Sequence, residues 1–238
     1  MQNGPETKGF SMTPRYYCTS GIIGAGKTNL ALTLANLMNL YPINEPVNSN
    51  PYLDEFYVDL QSGTSSKTRS AAMMQMFLLV RRFRDHTKAI AMCTDKGVIG
   101  DRSIFEDTIF AKILHESGHI TNVDYNSYLM AYNALKHQLK LPIFIYIDIE
   151  PGQALENVRR RGRGCEGGIT VDYLSKLKQE YEVFRDAMSK NSVVVTIPAE
   201  DVYYPQKVVE RLEELDKKLT YQDYFHYSNM AYFFPERP

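Results

Sequence analysis

The sequence has no excess charge of either sign: 27 Lys and Arg stand against 28 Asp and Glu, a net charge of -1 over 238 residues. A surface built to hold DNA or RNA needs a basic excess, so a nucleic-acid polymer is not an expected partner. Cysteine is scarce. Cys18, Cys93 and Cys165 lie far apart with no paired spacing, which argues against a disulfide framework and a zinc site and fits a reducing compartment. A cytoplasmic address is therefore the expectation. Long hydrophobic runs are lacking too. The apolar stretch from Met73 to Val80 is too short to cross a bilayer and leads at once into Arg81 and Arg82, so no membrane partner is expected. Residues 1–14, with Gly4, Pro5 and Pro14, have no apolar signal-peptide core and read as a flexible leader. With no internal repeat or low-complexity linker, the length suggests one α/β domain over residues 1–238, though two small domains would also fit.

What is present is alternation. Short apolar runs change places with longer helical patterns, the signature of a five-stranded parallel sheet flanked by helices. Candidate strands are Arg15 to Thr19, Pro42 to Asn44, Gly97 to Gly100, Ile143 to Ile149 and Val193 to Ile197. Two segments, IFIYIDI and SVVVTI, are nearly continuous hydrophobics, as strands buried on both faces should be. Candidate helices run from Lys27 to Leu40, Arg69 to His86, Phe105 to Glu116, Asn122 to Gln138, Gln153 to Arg161, Val171 to Ser189 and Pro205 to Leu219. The polar stretch Asp59 to Arg69 reads as a loop. Residues 220–238 are dense in aromatics and read as a tail packed on its own body or on a neighbouring subunit.

The strongest local pattern is Gly21, Ile22, Ile23, Gly24, Ala25, Gly26, Lys27, Thr28, which matches G-x-x-x-x-G-K-[ST] between a strand and a helix. Glycines let the backbone wrap so that its N–H groups point at phosphate oxygens, and the helix N-terminus adds partial positive charge. Lys27 would neutralise the terminal phosphates of a nucleoside triphosphate and Thr28 would offer a hydroxyl to Mg2+. The bland alternative is a glycine turn that happens to precede a helix.

Phosphoryl transfer to an alcohol needs a metal anchor, a proton acceptor and cations over the moving charge. Asp101 and Arg102 end a candidate strand; Asp101 could hold the metal and Arg102 could reach the acceptor oxygen, or the two could be a surface ion pair. Glu45 is followed by Pro46, which holds it extended and suits a fixed base; an exposed loop glutamate is the alternative. Arg159, Arg160, Arg161 and Arg163 precede a glycine-rich stretch, so residues 162–168 read as an Arg-rich lid over an anion. A solvated basic helix end accounts for part of that cluster.

Together the segments GIIGAGKT, NEPV, NPYLDEFY, MMQMFLLVRRFR, DRSIFED and RGRGCEGGITVDYLSKL resemble the deoxynucleoside kinase family in content and order. The resemblance implies a P-loop kinase fold, a homodimer, and transfer from ATP to the 5′-hydroxyl of a deoxynucleoside. It implies Glu45 as base with Arg102 beside it, Thr28 and Asp101 for Mg2+, and Arg161 and Arg163 for the phosphates. It further implies Tyr57 and Glu166 at the sugar 3′-hydroxyl, Gln75 at the base edge, and an Arg82–Asp107 pair near the base. That pair would favour deoxyadenosine or deoxyguanosine, then deoxycytidine, over thymidine. Asn157 departs from the family, which often has a basic residue four positions before Arg161. His115 and His119 have metal-ligand spacing but no third ligand, and read as packing or surface residues, while His86, His137 and His226 suggest no role. The competing readings are a thymidylate-kinase-like monophosphate kinase, a catalytically silent binding subunit, and a P-loop switch or motor.

Overall fold

The structure, a computed structural model, describes residues 15–45, 49–63, 69–92, 96–163 and 166–218. The leader, Pro46, Cys93, Gly164, Cys165 and the aromatic tail lie outside the described residues. The strands are β1 (Tyr16–Ser20), β2 (Tyr41–Ile43), β3 (Val98–Asp101), β4 (Ile143–Asp148) and β5 (Val194–Pro198). The helices are α1 (Lys27–Leu37), α2 (Leu53–Ser62), α3 (Ser70–Met92), α4 (Asp107–Glu116), α5 (Asn122–Lys136), α6 (Pro151–Arg161), α7 (Val171–Met188) and α8 (Pro205–Lys218).

All strand pairs are parallel, in the order β2-β3-β1-β4-β5. From β1 the chain builds outward to one side with β2 and β3, then returns past β1 to lay down β4 and β5. Loops leaving β1 and its neighbours at their C-terminal ends therefore diverge, and a crevice opens between them. Thr19 pairs with Asp101, which brings the phosphate loop after β1 and the acid-base dipeptide at the end of β3 to the same edge.

Burial follows the sequence pattern where strands are central. Every residue of β1 and of β3 is buried, as is all of β4 except its last residue. Ile145 and Ile147 enter a core with Leu30 and Leu34 of α1, Leu174 and Leu177 of α7 and Leu212 of α8. Phe144 enters a second core with Leu79 of α3 and Tyr128 of α5. The apolar run SVVVTI behaves differently from the expectation of a strand covered on both faces. β5 is an edge strand; Val194 and Val195 are half-buried, Thr196 is exposed, and Ile197 alone is fully covered.

Several helix ends differ from the expectation; α3 runs past His86 to Met92, and two further boundaries moved for local reasons. α1 stops at Leu37 because Asn39 takes a left-handed φ of 52° and the Leu40 N–H turns back to the Ala35 carbonyl. The segment read as a loop from Asp59 is helical to Ser62, where Gly63 closes α2 at φ 70°. α2 was not expected at all, although Leu53, Phe56, Tyr57 and Leu60 carry a helical spacing.

Candidate active site

The phosphate loop leaves β1 and enters α1 through Gly26. Gly24 sits at φ 83°, and a Cβ there would lie 2.3 Å from the Ala154 carbonyl oxygen, so the loop seats against α6 only with glycine at this point. Asn157 of α6 strengthens the same contact: its Nδ2 donates to the Gly24 carbonyl at 2.9 Å. The departure from a basic residue here thus ties the loop to α6 by a neutral amide. Lys27 is buried, and its ammonium donates across the loop to the Ile22 carbonyl at 2.7 Å. Burial, with Arg102 nearby, pushes its pKa down to about 7.

Thr28 donates its hydroxyl to Asp101 Oδ2. Asp101 Oδ1 is buried with no hydrogen-bond partner among the described residues. Burial and the neighbouring Glu45 raise the Asp101 pKa, and Lys27, Thr28 and Arg102 offset the rise only in part. A hydroxyl beside a carboxylate with an unsatisfied oxygen suits a hard divalent cation such as Mg2+.

Glu45, just beyond β2, is the junction of the acceptor side. Its Oε1 lies 2.9 Å from Arg102 Nε and 2.9 Å from Arg82 Nη2. Burial pushes its pKa up, but Arg102, Arg82 and Lys27 outweigh that, and the net shift is downward. Arg82 also pairs with Asp107. Both are buried and stand behind the cleft wall, so Arg82 meets the cleft through Glu45. Arg102 holds a left-handed backbone at φ 71°, its N–H bonded to the Thr19 carbonyl at 3.1 Å.

Lys27, Thr28, Glu45 and Arg102 open on one cleft of about 500 Å3 that runs from the phosphate loop to Phe56, Tyr57, Gln75 and Phe110. One end is charged and the other is mostly apolar and aromatic, the division a nucleoside needs beside a triphosphate. Arg161 and Glu166 also border it. The sequence reading sent Arg161 and Arg163 to phosphates and Glu166 to the sugar. In the structure the three form one cluster: Arg161 Nη2 meets both oxygens of Glu166 at 2.5 and 2.6 Å, and Arg163 stands 3.6 Å away.

Sequence reasoning passed over several side chains of this region. Glu106 is fully buried and accepts from the Ser103 N–H at 2.8 Å and from Ser20 at 3.1 Å. Its signal was present, since Ser103 and Glu106 form the S-x-x-E pattern of a capping box. Tyr173, in the first turn of α7, borders the cleft. Tyr181, further along α7, contacts both Arg102 and Glu106, with no pattern to betray it. His115 stacks on Tyr125 at 4.4 Å.

A phosphate loop at the switch point of a five-stranded parallel sheet, with a carboxylate and two arginines at the acceptor end, defines a P-loop phosphotransferase. The chain belongs to the deoxynucleoside kinase family, ATP-dependent phosphotransferases, whose family model, described as "Deoxynucleoside kinase", matches residues 17–219. A deoxyadenosine kinase of Dictyostelium discoideum is 32% identical over 204 residues, covering 85% of this chain and 80% of that protein. A deoxyguanosine kinase of Bacillus subtilis is 32% identical over 174 residues, covering 72% of this chain and 78% of that one. A solved structure of a deoxyadenosine kinase from M. mycoides, with products dCMP and a flexible dCDP bound, superposes with a TM-score of 0.72 at 26% identity, over 84% of this chain and 99% of the other.

Proposed function

We propose that this kinase transfers the γ-phosphoryl group of ATP to the 5′-hydroxyl of a purine deoxynucleoside, deoxyadenosine or deoxyguanosine first, deoxycytidine next and thymidine last. The observation that carries the reading is Glu45, a carboxylate at the turn of the cleft with its Oε1 fixed by Arg102 and Arg82. A monophosphate acceptor would meet this negative charge, whereas a neutral alcohol can give it a proton.

In this reading ATP lays its phosphates in the loop Gly21–Thr28, and Lys27 exchanges the Ile22 carbonyl for phosphate oxygens. Mg2+, held by Thr28 and Asp101, would neutralise charge on the phosphates. The nucleoside lies along the aromatic end, its sugar 3′-hydroxyl at Tyr57 and Glu166 and its base edge at Gln75. Glu45 accepts the 5′-hydroxyl proton while Arg102 faces the oxygen that attacks. Arg161 and Arg163, paired with Glu166 in this structure, turn to the phosphates as residues 162–168 close. The Arg82–Asp107 pair, which the resemblance puts near the base, stands behind the cleft wall and would bear on the choice of base only indirectly, through Glu45. The names of the D. discoideum and B. subtilis relatives support the purine preference, and the dCMP in the M. mycoides structure supports deoxycytidine as a further acceptor.

Two wider parts of the reading go with it. Residues 1–238 form one kinase domain working in the cytoplasm; among the described residues no helix is long and apolar enough to cross a membrane. The enzyme is a homodimer through α3 and α5, which expose Met73 and Val80, and Val123 and Met130, respectively; light scattering would give its mass.

The test is a phosphorylation assay with ATP and magnesium across the four deoxynucleosides and their monophosphates, run on the native chain and on Glu45→Gln. Purine deoxynucleoside monophosphates that form with the native chain and vanish with the variant would bear the reading out. Turnover of monophosphates alone would make it a nucleotide kinase, and silence on every acceptor would make it a binding subunit.

A further inference from the structure

Arg102 makes ion pairs with two carboxylates, and they are unlike. Glu45 borders the cleft, with its Oε1 2.9 Å from Arg102 Nε. Glu106 lies behind, wholly buried, with Oε2 3.6 Å from Arg102 Nη1.

Glu45 is a poor permanent anchor. In the reading above it takes up the acceptor's proton, and at that moment its negative charge is gone. Arg102 is itself buried and holds a left-handed backbone. A buried guanidinium without a counter-charge is strongly disfavoured and would shift toward any other acceptor.

Glu106 has what Glu45 lacks. It accepts from the Ser103 N–H at 2.8 Å, the Ser20 hydroxyl at 3.1 Å and the Tyr181 hydroxyl at 2.7 Å. None of these donors borders the cleft, so substrate does not compete for them. Tyr181 also touches Arg102, accepting from Nη1 on the oxygen that donates to Glu106. The order of the chain follows from chemistry: arginine has no acceptor, so the Tyr181 proton must point to Glu106. Burial raises the Tyr181 pKa well above its ordinary value, which keeps that proton in place. Phe110 stacks on the guanidinium, 4.6 Å from its ring centroid.

We propose that Glu106 and Tyr181 are positioning residues, holding the Arg102 guanidinium over the reacting oxygen while Glu45 changes its protonation state. The proposal rests on the reading that Arg102 serves the transfer step.

The experiment is steady-state kinetics with ATP and the best of the four deoxynucleosides on Tyr181→Phe, Glu106→Gln, Arg102→Lys and the double variant Tyr181→Phe/Arg102→Lys. Tyr181→Phe deletes one oxygen and keeps the ring that packs against Phe110 and Phe184. It is expected to lower kcat by between about ten- and a hundredfold, with both KM values within about threefold of native. Glu106→Gln is expected to do the same and carries the test should Tyr181→Phe fail to fold. In the Arg102→Lys background Tyr181→Phe should cost nothing further, because the two act as one unit. An unchanged kcat in folded Tyr181→Phe and Glu106→Gln, or an equal loss in both backgrounds, overturns the proposal. Native kcat in Arg102→Lys would instead remove the reading of Arg102 on which it rests.

Discussion

Arg102 Nε lies 2.9 Å from Glu45 Oε1, so the proposed base is ion-paired before any substrate arrives. The pairing holds the Glu45 pKa below its ordinary 4.5. A depressed carboxyl is fully ionised above its unfolded value and is neutralised only as the pH falls through the lower folded one. The acid limb of kcat/KM contributed by Glu45 should therefore lie below pH 4.5. Glu45→Gln should lower kcat by about 10²- to 10⁴-fold, the range for a lost general base, and should abolish that limb. A limb near pH 6 that survives in Glu45→Gln would assign the proton to another group.

The phosphate loop should tolerate almost nothing at Gly24. Gly24→Ala places a methyl 2.3 Å from the Ala154 carbonyl oxygen at a φ that alanine rarely adopts. The backbone strain alone is about 1–3 kcal/mol. We expect a lower melting temperature and a raised KM for ATP, with the nucleoside KM little changed. Asn157→Ala is the milder relative of this change. It removes one hydrogen bond to Gly24, worth about 1 kcal/mol, and should raise the ATP KM about fivefold. An unaltered ATP KM in Asn157→Ala would show that α6 does not set the loop.

How much of this was legible in the sequence depended on whether a residue answers to a local rule. The phosphate loop was legible because its glycines and Lys27 must stand at fixed spacing to wrap a phosphate. Glu45, Asp101 and Arg102 were legible as residue types at strand ends, and β2–β3 pairing brings them together. That Arg82 would bridge Asp107 to Glu45 was beyond reach, since it needs the packing of α3 against β2, β3 and α4. Tyr181 answers to no local rule, for it meets Arg102 only because α7 packs against α4 and lays the ring beside Phe110 and Tyr146. β5 was misjudged because an apolar run carries no record of which of its faces finds a neighbour.

Asp107 should matter for stability and for the choice of base. It shares Arg82 with Glu45, and both partners of the Arg82–Asp107 pair are buried. Asp107→Ala leaves the guanidinium with Glu45 alone, and losing one member of a buried pair costs about 3 kcal/mol. Equilibrium unfolding in urea should show that loss. The same variant should narrow the ratio of kcat/KM for deoxyadenosine over thymidine. A large stability loss with an unchanged ratio would restrict the pair to a structural part.

His86 provides a stability test against pH. It is buried on α3 beneath Gly100, where a Cβ would lie 2.5 Å from its Cε1. Burial raises the Tyr16 pKa well above its ordinary value, so the Tyr16 hydroxyl keeps its proton and donates it to His86 Nδ1. The other ring nitrogen then carries the hydrogen that binds the Arg102 backbone carbonyl. Burial, with Arg82 nearby, pushes the His86 pKa down from 6.5 to about 3. Between those values the unfolded chain binds a proton that the folded one does not, so stability falls as the pH drops from 6.5 toward 3. From pH 7 to pH 5 this residue should remove about 2 kcal/mol from the native protein. His86→Gln cannot titrate, so its deficit relative to native should shrink by that amount over the same interval, read by urea unfolding at each pH. A deficit that stays constant would mean that His86 takes up its proton in the fold as readily as in the unfolded chain, with both ring nitrogens donating and the Tyr16 oxygen accepting from Nδ1.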